Sequence, residues 1–257
     1  MFNYLRRIRQ TLLSSGSSGR YAIYAMGEIA LVVIGILIAL QINNWNSARM
    51  DRLQEKKVVK AIQREAQDNL AFLHLMMESY LNPKKEALKS LLDLDEASKV
   101  NDSKEIADLL AKALSSPVLM PKFVLSERIL NSPEFDLIQS DSLKMTLLEL
   151  HNLIEITKVA YTPVENQTFW ESLTKNDILN RDVIKFLGPM ATFDEVDEIA
   201  FSKVDYNYHD ILANEEVESI LSTYFFFTVI VARRIEQQTR MNKLLLDLIG
   251  RYYPEIE

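Results

Sequence analysis

From Tyr21 to Asn46 the chain carries one apolar segment with an acid near its start, Glu28, and an amide cluster at its end, Gln41, Asn43 and Asn44. No charged residue stands between Glu28 and Arg49. A helix rises about 1.5 Å per residue, so about twenty such residues cross the roughly 30 Å hydrocarbon layer of a bilayer. Burial in a soluble core would need a shorter run, and the segment reads as one membrane-spanning helix. Tyr21 and Tyr24 then fall at the inner headgroup belt and Trp45 at the outer one, where amphipathic rings are favoured.

The basic residues give an orientation. Arg6, Arg7, Arg9 and Arg20 precede the span with no acid among them, whereas Arg49 and Arg52 beyond it are mixed with Asp51 and Glu55. Positive residues stay inside, so the N-terminus is expected in the cytoplasm and the bulk of the chain outside it. Gln-Ile-Asn-Asn-Trp follows Leu40 without a small-x-small cleavage site, which predicts an uncleaved signal anchor. Ahead of it, Phe2, Leu5, Ile8 and Leu12 have helical spacing, the pattern either of a helix lying on anionic lipid or of an ordinary positive flank. The division that follows is a basic arm over 1–20, a transmembrane helix over 21–46, a helical stalk over 47–65 and an extracytoplasmic helical domain over 66–257.

Two stretches resemble a known family. Tyr24-Ala25-Met26-Gly27-Glu28-Ile29, followed by Val33 to Asn46 with its Ile-Asn-Asn-Trp-Asn ending, is similar to the N-terminal signature of an uncharacterised family of single-span bacterial membrane proteins, common in Bacteroidetes. Leu130 to Leu143 is similar to that family's mid-chain segment, with Pro133-Glu134-Phe135 where a small residue or glycine usually precedes Asp-Leu-Ile. The family has no established activity. The resemblance implies only location, the bacterial cytoplasmic (inner) membrane with a periplasmic domain, and an architecture of one span plus helices.

One face of the span is distinctive. At about 100° per residue, Tyr24, Glu28, Gly35, Ala39, Ile42 and Asn46 share a stripe. Gly35 and Ala39 would let a second backbone approach closely, and Glu28 and Asn46 would hydrogen-bond across such a contact. Intramembrane acids are usually paired or functional, so the stripe is expected to pack against another copy of the chain or a membrane-protein partner. Otherwise Glu28 reaches the inner headgroups and the small residues are incidental.

Past the span the pattern is helical throughout. Neither Gly nor Pro occurs from Ala48 to Tyr80, and Pro83 is the first breaker. Ala66, Leu70, Leu73, Met77 and Tyr80 alternate by four and three, a seam for another helix of the same domain or of a second subunit. Shorter helices are expected over Lys84–Leu94 and Ser103–Leu114 with a polar joint between them, and again over 126–130 and 140–161, with Ser140 as cap. Val118-Leu119-Met120 stands between Pro117 and Pro121 without deciding for strand or loop. Phe169, Trp170 and Leu173 look like core anchors, and Gly188-Pro189 and Thr192 to Glu198 like turns. Asn214 opens a long last helix to about Tyr252. Its middle, Tyr224 to Ala232, is apolar all round, but the uncharged run from Glu218 to Arg233 is too short to span, which favours a core helix. The fold class is therefore all-α, an N-terminal transmembrane helix continuing into a long helix and followed by a helical bundle.

The chemistry is sparse. His74, His151 and His209 form no paired arrangement, and there is no nucleophile elbow, phosphate loop, dinucleotide fingerprint or cysteine. Asp205, Asn207, His209 and Glu216 imitate part of a calcium loop, but Asp210 stands where its sharp turn needs glycine. No cofactor or metal is implied and no catalytic residue can be named. Net charge is −7; the first 48 residues contribute four arginines and one glutamate, so the remainder carries −10, which disfavours nucleic acid. The expected partners are the lipid bilayer and either further copies of the chain or another membrane protein. The leading expectation is a non-enzymatic envelope protein acting as a homo-oligomeric scaffold or an accessory subunit. A ligand-sensing helical domain that signals through a partner and an oligomeric pore lined by Glu28 are the alternatives.

Overall fold

The computed structural model describes residues 18–94, 102–115, 123–161, 167–191 and 200–256. Among them every regular element is helical and there is no strand. In order these are α1 (Ser18–Met76), a π-helical turn (Met77–Leu81), α2 (Asn82–Leu92), α3 (Ser103–Leu114), α4 (Val124–Leu130), α5 (Glu134–Leu137), α6 (Asp141–Tyr161), α7 (Gln167–Lys175), α8 (Arg181–Ala191), α9 (Tyr208–Leu212) and α10 (Glu215–Tyr252).

The chain divides into two compact units, Met1–Glu55 and Lys56–Glu257. In the first, α1 is long and apolar enough to cross a membrane, with a mean hydropathy of 2.3 in its best window and none of that window buried. In the second, the buried apolar positions begin at Val58 rather than at residue 66. Val58, Val59 and Ile62, placed by sequence in a polar stalk, are buried core residues. Three apolar side chains at spacings of one, three and four are enough to turn this stretch of helix inward, although charged residues surround them.

The second unit is built on two antiparallel helices. Val58, Val59, Ile62 and Ala66 of α1 pack in one cluster with Leu245, Leu248 and Ile249 of α10 and with Tyr253 just after it. Further along, Leu73 and Leu81 meet Val231, Ala232 and Ile235. Further still, Ala87, Leu88 and Leu91 of α2 share a cluster with Val217, Leu221 and Tyr224. Ile129 of α4, Ile138 just after α5, and Leu143 and Leu147 of α6 complete one end. Helices α3, α7, α8 and α9 complete the other through Leu110, Leu173, Val183 and Tyr208. Each buried Val, Leu or Ile among them contributes about 1.5–3 kcal/mol by leaving water.

Helix starts follow local chemistry. The side chains of Asp102 and Asn214 accept from the N–H groups of Lys104 and Glu216, each at 2.9 Å, and Ser140 Oγ accepts from Leu143 at 3.2 Å. Exposed N–H groups at a helix start need such acceptors. Around Pro133, Ser132 Oγ takes the N–H of Glu134 at 3.2 Å and opens α5, after which Ile138 is fully buried.

Proline departs from expectation twice. Pro83 does not end the long helix: the π turn precedes it, with the N–H of Asn82 bonded to the carbonyl of Met77, and α2 continues with Pro83 in its first turn. A proline ring lacks an N–H and crowds the carbonyl four residues back; a wider turn just before it lets the chain pass without breaking. Gly188-Pro189 lies inside the last turn of α8 rather than in a separate turn, and the helix stops at Ala191. The apolar middle of α10 is buried on one side only: Tyr224, Thr228, Val231 and Ala232 are inside, while Phe226 is 59% exposed. The joint at 95–101, the bracketed stretch at 117–121 and the acidic run at 192–198 lie outside the described residues.

Candidate functional site

On the span, Glu28, Gly35, Ala39, Ile42 and Asn46 are all exposed within the chain, and Trp45 is 67% exposed. A methyl group added at Gly35 would meet nothing within 4 Å. The stripe is thus a continuous free surface on α1 as far as this chain is concerned. Arg20, Tyr21 and Tyr24 belong to α1, but their side chains lie outside the described set, as do Arg6, Arg7 and Arg9 altogether.

The seam meets α10 of the same chain at two of its positions. Ala66 shares a cluster with Leu245, and Leu73 shares another with Val231 and Ile235; Met77 lies against that second cluster, and Leu70 and Tyr80 are half-buried. The polar side chains that share this face are not singled out by spacing alone; three of them are buried, and two of those make long-range contacts.

Glu65 is buried on α1 and accepts from the N–H of Leu125 and the N–H of Ser126, each at 2.8 Å, and from the hydroxyl of Ser126. It thereby serves free N–H groups at the start of α4, a role filled by a residue about sixty positions away in sequence. Lys84, buried on α2, donates from Nζ to the carbonyl of Ser115 at 2.8 Å and stands 4.4 Å from the centre of the Tyr224 ring. Burial pushes its pKa down to about 7, because the ammonium loses water that one carbonyl and a ring face only partly replace. Desolvation likewise raises the pKa of the Tyr224 phenol.

The third is Asn69, buried on α1; Thr157 of α6 and Gln238 and Asn242 of α10 are buried too. Gln238 Nε2 donates to Thr157 Oγ1 at 2.9 Å, and Asn242 Nδ2 donates to the carbonyl of Gln238 at 2.9 Å. A signal for these residues does exist in the sequence. Glu65, Asn69 and Lys84 interrupt an apolar stripe that runs through Ile62, Ala66, Leu73 and Leu88, and Gln238 and Asn242 interrupt one running from Ile235 to Leu245. Polar groups on a buried stripe must find partners or remain costly.

Asn207, from the calcium-like run, instead caps the short helix α9: it accepts from the N–H of Asp210 at 3.4 Å and donates to that residue's carboxylate at 2.6 Å. Among the described residues no three His, Asp or Glu side chains gather as a metal ion would require. Most ion pairs among the described residues are exposed; one of them, Lys56 with Glu255 at 2.9 Å, links the last described residues to the first turn of the second unit. Such pairs contribute little to stability.

A family model described as a family of unknown function (DUF6090) matches residues 28–124 of the chain. The match takes in most of the span, the rest of α1, α2 and α3, and stops short of the stretch from Leu130 to Leu143. It includes Glu65, Asn69 and Lys84 but not Ser126, Tyr224, Gln238 or Asn242. No curated protein and no solved structure matches the chain.

Proposed function

We propose that the chain is a single-span, non-enzymatic protein of the bacterial cytoplasmic membrane, oriented with its N-terminus inside and its helical unit in the periplasm. There it acts as a homo-oligomeric scaffold or as an accessory subunit of a membrane complex. The observation that carries this reading is the length of α1 left uncovered by the chain itself. From Met26 to Leu53 every side chain is exposed, most are apolar as far as Trp45, and one face holds Glu28, Gly35 and Ala39. A surface of that kind is covered by lipid, and an acid within it is satisfied at low cost by a second helix. The helical unit supports the reading by supplying a rigid body on the other side, and the arginines before the span support the orientation.

Two experiments test it. The complex is extracted from native membranes in mild detergent or nanodiscs, weighed, and its proteins identified. A whole multiple of 29.6 kDa above one, or a defined second protein, is expected; a lone 29.6 kDa chain overturns the assembly reading. For orientation, the absence of cysteine allows single thiols to be introduced. Ser222→Cys is expected to react with a membrane-impermeant maleimide in intact spheroplasts and Ser14→Cys only after lysis; the reverse pattern inverts the topology.

A further inference from the structure

Inside the second unit, three amide side chains on α1 and α10 are buried and each keeps one polar atom without a hydrogen-bond partner among the described residues. On α1, Asn69 stands between Ala66, of the cluster that holds Leu143 and Leu245, and Leu73, of the cluster that holds Val231 and Ile235. On α10, Gln238 and Asn242 stand between Ile235 and Leu245. The antiparallel register therefore sets Asn69 at the level of those two residues. All three are buried, with exposures of 4%, 1% and 0%.

The neighbours fix how the α10 amides are turned. The hydroxyl of Thr157 donates to the carbonyl of Leu153 at 2.6 Å, so its oxygen is left to accept, and it accepts from Gln238 Nε2. The carbonyl of Gln238 can only accept, and it takes Asn242 Nδ2. Both amides must then present oxygen at their other ends. Gln238 Oε1 and Asn242 Oδ1 have no hydrogen-bond partner among the described residues, and neither does Asn69 Nδ2.

One donor and two acceptors left open at one level are selective. An anion would serve Asn69 and be repelled by both oxygens. A cation would serve the oxygens and leave the N–H group unmet. Water accepts once and donates twice, and buried waters typically make about three hydrogen bonds. We propose that a single internal water is bound by Asn69 Nδ2, Gln238 Oε1 and Asn242 Oδ1 as a constituent of the fold, joining α1 to α10 between the two ends of the unit. The site goes beyond the anchoring role and does not depend on it.

A high-resolution structure of the full-length chain in nanodiscs is expected to show a density peak within hydrogen-bond reach of all three atoms. No peak, with the Asn69 amide bonded directly to Gln238 or Asn242, overturns the proposal. The sign of one substitution gives an independent reading. Asn69→Leu keeps the same heavy-atom branching; with the water present it removes one of that water's bonds, and Tm falls by about 2–5 °C. In a dry layer the same change removes an unpaired donor, so a rise in Tm overturns the proposal. Should Asn69→Leu not fold, the density measurement on the unaltered chain decides alone.

Discussion

Glu65 holds Ser126 twice over: one carboxylate oxygen takes both the main-chain N–H, at 2.8 Å, and the side-chain hydroxyl, while the other oxygen takes the N–H of Leu125 at 2.8 Å. Three donors on a buried carboxylate make this the most fully satisfied long-range polar contact described in the unit. It fixes where α4 starts against α1.

Glu65→Ala is therefore expected to destabilise the second unit by about 1–3 kcal/mol, since it leaves two N–H groups without their acceptor in a buried position. Ser126→Ala, which loses the hydroxyl and keeps the main-chain bond, should cost about 1 kcal/mol. Denaturant unfolding followed by circular dichroism measures both. Equal losses would show that the main-chain bonds contribute nothing.

Lys84 sets a pH dependence. Its folded pKa of about 7 lies below the ordinary 10.5, so between these values the unfolded chain holds a proton that the folded one has released. Stability is then lowest below pH 7 and rises with pH above it, by up to about 1 kcal/mol per pH unit before other groups titrate. In Lys84→Met the same rise should be missing. Thermal unfolding of both proteins at pH 6, 7, 8 and 9 reads the difference; parallel curves would mean that the buried ammonium is compensated in full.

The π turn predicts an asymmetric response to deletion. Buried positions on the long helix advance by three or four residues up to Met76 and then by five to Leu81. Deleting the exposed Ser79 restores a step of four and leaves the apolar faces before and after it in phase with α10. A fall in Tm of a few degrees is expected. Deleting the equally exposed Asp68, in regular helix, turns everything beyond it by about 100° and should abolish cooperative unfolding. Similar losses for both would show that the wide turn has no role in register.

On the span, Gly35→Leu combined with Glu28→Leu is expected to reduce the mass of the detergent-extracted complex, because the first blocks close helix approach and the second removes the acid that would pair across it. Native mass spectrometry of the double variant beside the unaltered chain gives the answer. An unchanged mass would move the assembly surface off this face.

Much of the helical architecture can be read one stretch at a time. Ser140 and Asn214 announce helix starts because a cap acts on N–H groups two or three residues away. Pro83 and Gly188-Pro189 mislead for a related reason: a proline's local cost is real, but a wider turn before it or a position in the last turn of a helix absorbs that cost. The extent of the packed unit is harder to read. Val58, Val59 and Ile62 look like incidental apolar residues among charges until Leu248, Ile249 and Tyr253, nearly two hundred residues on, are folded against them.

By itself, then, the sequence determined a helix able to span a membrane, an all-helical chain after it and most helix boundaries, because each depends on composition, period and capping within about twenty residues. Tertiary structure decided that α10 is the partner of the long helix, that the packed unit starts at Lys56, and that Glu65, Asn69 and Lys84 are internal groups with distant neighbours. A polar residue on an apolar stripe has the same local pattern whether it faces water or the interior. Only the helix that packs over it removes the water and makes its hydrogen bonds a matter of stability.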